Sequence, residues 1–202
     1  MSTGVLAELM VPVMNAALVV GVAAVMPLSL KEPPRFWALA AVGVTLSLLL
    51  PAGALATSLV GPWVGLTVIS GVRALLRRDL WPALVAGFAG TASLALVTSR
   101  LALTVFGITE PIVKLTALHF TYAGAGTLAL ALRLHEVRPG RWTKVARVLV
   151  LIAPPVVASG FVARSALGQI GGATLMTAGV WLVALLQLPD ARTGPARSPA
   201  AA

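Results

Sequence analysis

Long uncharged apolar runs recur along the whole of this sequence, and each is long enough to cross a hydrocarbon layer of about 30 Å. Only 10% of the residues are charged and 58% are hydrophobic, whereas a soluble domain carries roughly a quarter charged residues. A solvated surface cannot be built from that inventory. No segment alternates apolar and polar residues as the strands of a membrane barrel would, so the lipid-compatible solution is a set of helices.

The reading is an all-α, polytopic transmembrane bundle of seven helices, spanning residues 9–30, 36–53, 55–72, 80–99, 111–132, 145–162 and 166–188. The uncharged stretch 36–72 is divided in two because one helix of that length would overshoot the bilayer. Pro51, Gly53, Gly61 and Pro62 supply the break. Residues 1–188 form a single transmembrane domain and 189–202, rich in Pro, Ala and Arg, a disordered cytoplasmic tail. The first eight residues hold no Lys or Arg, so no cleaved leader is expected and the first run stays as a span.

The basic residues test this division. Lys31, Arg35, Arg73, Arg77, Arg78, Arg133, Arg138, Arg141, Lys144, Arg147, Arg192 and Arg197 fall on one side, and only Arg100, Lys114 and Arg164 on the other. Cytoplasmic loops hold the excess of Lys and Arg, which sets the amino terminus outside and the carboxyl terminus in the cytoplasm of a bacterial plasma membrane. The net charge of +9 is therefore topology, and no nucleic-acid partner is expected. With no cysteine there is no disulfide or thiolate chemistry, and no metal or cofactor site is expected.

Within the spans, Gly87, Gly90, Gly124, Gly126, Gly168, Gly171 and Gly172 allow close helix contact, and Pro27, Pro154 and Pro155 can kink helices. Trp37, Trp63, Trp81 and Trp142 lie near span ends, where interfacial anchoring is expected, while Trp181 is deeper and could face a pocket.

Ionisable groups near the membrane interior carry the functional information, because lipid makes them expensive. Glu110 precedes Pro111 at the start of the fifth span, where it can cap the helix or act as a carboxylic acid tuned by burial and by Lys114, Arg100 or Arg164. His119 follows about 12 Å deeper and can bond a neighbouring helix or act as an acid. On a regular helix Thr116, His119 and Tyr122 share a face, so ring nitrogen and phenol can line one cavity. Glu8 and Asn15 share a face of the first span, and Gln169 is comparably placed in the seventh. Together with Arg100 and Arg164 these groups suggest a polar vestibule in the outer half. His135 and Glu136 fall on the cytoplasmic face, where lipid headgroups account for them. Asp79 and Asp190 are the only aspartates, so no acidic cluster is present to hold Mg²⁺ on a diphosphate, and no HExxH, GxSxG or P-loop pattern occurs.

The segment from Glu110 to Gly124 resembles the signature of the YndJ-like bacterial membrane proteins, whose pattern is roughly L-T-A-x-H-F-H-Y-A-G. Leu115, Thr116, Ala117, His119, Phe120, Tyr122, Ala123 and Gly124 match, and Thr121 stands where a second His is common. A role that needs two histidines is not carried over. Small YndJ-like proteins are similar to the membrane terpene cyclases of indole sesquiterpenoid pathways of drimentine and xiamycin type, part of secondary metabolism. The Ala-, Val-, Leu- and Arg-rich composition fits an actinobacterial source.

That resemblance implies a terpene cyclase, an isomerase of terpenoid biosynthesis. It would protonate an olefin or epoxide of a lipophilic prenyl chain, such as a farnesylated indole, and direct carbocation ring closure without ionising a diphosphate. Glu110 and His119 are the candidate catalytic acids. Tyr122, Thr116, Asn15, Glu8, Trp181 and Gln169 are the candidate substrate-binding residues, and the partners are the lipophilic substrate and membrane lipids. The alternatives are a small-molecule transporter, against which no inverted repeat is visible, and a non-catalytic membrane subunit.

Overall fold

The computed structural model describes the backbone of residues 3–193 and the side chains of residues 10–188. Seven apolar helices follow one another. The first runs as Thr3–Val20, a π-helical turn Gly21–Val25 and Met26–Leu30; the second is Pro34–Leu49. The third joins the short Ala54–Ser58 to Gly61–Leu76, and the fourth is Leu80–Arg100. The fifth runs as Ile112–His119, a longer π-helical stretch Phe120–Gly126 and Thr127–Val137. Arg141–Val162 and Ala166–Thr193 complete the bundle. Among the described residues the one strand-like feature is an isolated bridge between Val105 and Ile108.

Six of the seven are long and apolar enough to span a bilayer: Met10–Leu30, Ala54–Leu76, Leu80–Arg100, Ile112–Val137, Arg141–Val162 and Ala166–Leu188. Pro34–Leu49 is the short one, about 24 Å at 1.5 Å per residue. The expected tail, residues 189–202, falls partly on the seventh helix, which continues to Thr193. Residues 194–202 lie outside the described residues.

The break between the second and third helices lies where Pro and Gly put it. Leu50, held extended by the following Pro51, ends the second helix, and Gly53 takes a φ of 153°. The orphaned backbone is clamped to the end of the fourth helix. Gly53 N donates to the Arg100 carbonyl at 2.8 Å, and Arg100 Nη2 donates to the Leu50 carbonyl. Arg100 is 8% exposed, so this cation is spent on satisfying a helix end.

The core gathers Leu18, Val22 and Met26 of the first helix with Trp37, Val44, Trp63, Val85, Leu96, Phe120 and Leu128 from the next four. Trp37 and Trp63 correct the expectation of interfacial anchoring: both are 0% exposed. Each indole lies on a helix that also carries Ala or Gly at core positions, and a ring of that size fills the space the small residues leave. Trp142 remains exposed, and Trp81 carries the Arg147 guanidinium 4.4 Å above its ring.

Small residues set the helix spacing unevenly. The sixth and seventh helices make the most extensive contact, and a Cβ on Gly160, Gly168 or Gly172 would meet the backbone of the other helix within 3 Å. Gly87, Gly90 and Gly171 face open space, so the expected packing role falls on other positions. Pro154 and Pro155 sit inside the sixth helix without dividing it.

Candidate functional site

Helices four, five and six enclose a cavity at each end of the bundle. The one away from the basic loops, of about 710 Å³, is lined by Thr91, Leu94, Ala95 and Thr98 of the fourth helix, by Ile112, Val113, Leu115, Thr116, His119 and Phe120 of the fifth, and by Val157, Ala158, Phe161 and Val162 of the sixth. Val105, Phe106 and Ile108 close its rim. Their loop turns at Gly107, φ 73°, which lies against the Arg164 guanidinium. The lining is almost wholly apolar.

The hydroxyls in that wall are already engaged with their own helices. Thr91 donates to the Gly87 carbonyl, Thr98 to Leu94 and Thr116 to Ile112, each within 3.0 Å. His119 differs. Its Nε2 is buried and has no hydrogen-bond partner among the described residues, and its ring stands edge-on to Phe120 with centroids 5.6 Å apart. An unpaired imidazole nitrogen in such surroundings costs roughly 1–3 kcal/mol until a partner reaches it. His119 is the one titratable side chain on this lining.

The structure brings Thr116 and His119 together and separates them from Tyr122. The π-helical stretch begins directly after His119, and its wider turn rotates the following residues away from the face that a regular α-helix would give them. The Tyr122 phenol turns to the first helix, donating to the Ala17 carbonyl at 2.7 Å, and lines the cavity at the opposite end. The two π-helical segments pack on each other: Gly21 lies against Thr121 and Tyr122, and Gly126 against Val25.

The remaining sequence candidates scatter. Glu110 is exposed in the loop before the fifth helix, makes no capping bond and is absent from the lining of the His119 cavity. Asn15 is half-buried in the first helix, with an unpartnered Oδ1. Gln169 Nε2 reaches the Gly160 carbonyl at 3.5 Å, a weak tie between helices six and seven. Trp181 is 63% exposed on the seventh helix and lines neither cavity. The Glu8 side chain lies outside the described residues. The described members of this set do not form the single polar vestibule expected from their shared depth, because that depth is spread around different helix faces.

The rim loop with Phe106, and Phe161 on the sixth helix, are the contributions sequence reasoning missed. The Phe106-Gly107 turn was visible as a local signal, whereas the approach of Phe161 depends on how helices five and six pack. Glu32 was also missed: its Oε1 accepts from Ser70 Oγ at 3.2 Å and Arg73 Nη1 at 3.3 Å, tying the loop between the first and second helices to the third helix.

Six bilayer-length apolar helices define a multi-pass α-helical membrane protein. More narrowly, the chain belongs to the YndJ-like protein family, whose pattern matches residues 5–202. No curated protein and no solved structure matches the chain.

Proposed function

We propose that this protein is a membrane-embedded terpene cyclase that takes a linear prenyl chain from the bilayer into the outer cavity and starts ring closure from His119. The observation that carries the reading is the buried, unpartnered Nε2 of His119 in an otherwise apolar chamber of about 710 Å³. An apolar chain fills such a volume without leaving polar groups unpaired, and the imidazole supplies one directed donor.

The chemistry is an isomerisation. The proton on His119 Nε2 passes to the oxygen of a terminal epoxide as the carbon–oxygen bond breaks toward a tertiary carbocation, and neighbouring π bonds close the rings. The last carbocation loses a proton to the imidazole, which restores the acid. An epoxide oxygen is far more basic than an olefin carbon, so an imidazolium suits the epoxide better than the bare olefin. Phe106, Phe120 and Phe161 line the chamber, where aromatic rings stabilise positive charge, and its apolar wall disfavours the water that would capture the carbocation. Glu110, exposed outside the chamber, has no part in this scheme.

The excess of Lys and Arg at the other end of the bundle supports an orientation with that end in the cytoplasm of a bacterial plasma membrane and the His119 cavity in the outer half. The test is incubation of membranes containing the protein with farnesylated indole and with its terminal epoxide. The expected outcome is an isomer of unchanged mass and new retention time, abolished by His119→Ala at equal protein level. Absence of any cyclised isomer from both substrates would overturn the proposal.

A further inference from the structure

The cavity at the basic end, about 730 Å³, plays no part in the chemistry above. Its wall has two zones. Val25, Leu28, Val85 and Leu130 form an apolar depth, and Lys31, Asp79, Arg133, His135, Glu136 and Arg147 form a charged rim.

The charges on that rim are unequally paired. Glu136 accepts from both Lys31 Nζ and Arg133 Nη1 at 3.3 Å, so one carboxylate serves two cations. All three side chains are more than half exposed, and such pairs contribute little and exchange partners readily. Arg147 has no carboxylate within ion-pair distance among the described residues. Its guanidinium lies 4.4 Å over Trp81, and its Nε is buried without a hydrogen-bond partner. The indole face offsets part of the lost hydration, but it accepts no hydrogen bond in the guanidinium plane. His135 is already occupied by Thr143, with Nδ1 2.7 Å from Oγ1.

We propose that this cavity binds an anionic glycerophospholipid. The phosphate meets Arg147 and shares Lys31 and Arg133 with Glu136, and the acyl chains lie along the apolar wall and continue into the bilayer. An apolar groove under a cationic rim, at the end of the bundle that carries most of the chain's basic residues, matches the charge and the amphiphilic shape of such a lipid.

The test reconstitutes the full chain with equimolar phosphatidylglycerol and phosphatidylcholine and counts, by native mass spectrometry, the lipids retained after gentle extraction. The expected preference for phosphatidylglycerol is about fivefold, the weight of one basic residue at a membrane surface. Arg147→Gln is expected to bring retention toward parity, Arg147→Lys to keep the preference, and His119→Ala to leave it unchanged. The last variant separates failure of this site from failure of the outer one. Parity in the unmodified protein, an Arg147→Gln result equal to the unmodified protein, or an equal loss on substituting Arg141 outside the cavity would overturn the assignment. Displacement of the lipid by inorganic phosphate alone would likewise overturn it.

Discussion

The two cavities share helices four, five and six and differ little in volume, yet they present opposite chemistry. At the His119 end the wall is almost wholly apolar, its hydroxyls are turned into their own helices, and one ring nitrogen lacks a partner among the described residues. At the basic end six ionisable side chains ring an apolar floor, and most already hold a partner. Polar side chains in a membrane bundle therefore fall into two groups. Those near the helix ends find carboxylates, headgroups or water, while one held deeper in an apolar wall keeps its hydrogen-bonding capacity for whatever enters.

The three shared helices present both characters, and on the fifth the change from one to the other falls at its π-helical stretch. His119 precedes the stretch and lines the outer cavity; Tyr122 lies within it and lines the basic one. The matching π-helical turn of the first helix packs against it, with Gly21 and Gly126 providing the close approach. π-helical turns inside α-helices frequently lie at functional sites.

The largest expected effect is on the outer cavity alone. His119→Ala should lower the cyclisation rate by roughly 10²–10⁴-fold, the range for removal of a general acid, without altering lipid retention at the basic end. Measuring both on one preparation breaks the comparison if the two change together. Next comes Gly160→Val. Its Cβ would meet the Gly168 and Gln169 backbone, forcing helices six and seven apart, and overpacking of this kind costs about 1–3 kcal/mol. A lowered midpoint of thermal unfolding in detergent should accompany a loss of outer-cavity activity, because Val157 and Phe161 line that chamber from the same helix. An unchanged midpoint would show that the two helices have room to separate.

Tyr122→Phe should act more mildly. It removes the hydrogen bond from the phenol to the Ala17 carbonyl and leaves the ring in place, a loss of about 0.6 kcal/mol by analogy with interhelical bonds in other membrane bundles. The expected reading is a small fall in the unfolding midpoint with both binding properties intact. A large change in either cavity's behaviour would instead mean that this bond holds the partition between them.

Much of the fold was legible because lipid tolerates so few sequence patterns. Charge excluded from the spans marked their limits, and Pro51 with Gly53 marked the break between helices two and three, where backbone geometry leaves little choice. Trp37 and Trp63 were misread because nearness to a span end in sequence says nothing about which face the neighbouring helices cover. In the site, the Thr116-to-His119 pairing followed from α-helical periodicity, whereas the separation of His119 from Tyr122 did not. A π-helical turn shifts the phase of every later residue, and the Ala- and Gly-rich run 123–126 that accommodates it reads equally well as ordinary close packing.

The smallest expected effect belongs to Glu110, and it discriminates between the acids. A carboxylic acid able to protonate an epoxide must lie within hydrogen-bond reach of the bound substrate and be shielded enough to hold its proton. Glu110 is exposed, and the cavity's rim on its side is built from Val105, Phe106 and Ile108. Glu110→Gln should therefore leave the cyclisation rate within about twofold of the unmodified protein, since surface substitutions away from a site usually shift energies by less than about 0.5 kcal/mol. Product formation by Glu110→Gln membranes, compared at equal protein level with those carrying His119→Ala, is the measurement. A hundredfold fall in the glutamine variant with normal activity in the alanine one would reverse the assignment and require the loop at residues 105–111 to fold inward when substrate binds. Equal large losses would make the two groups a relay. If only His119→Ala is inactive, the imidazole is left as the sole acid the outer chamber needs.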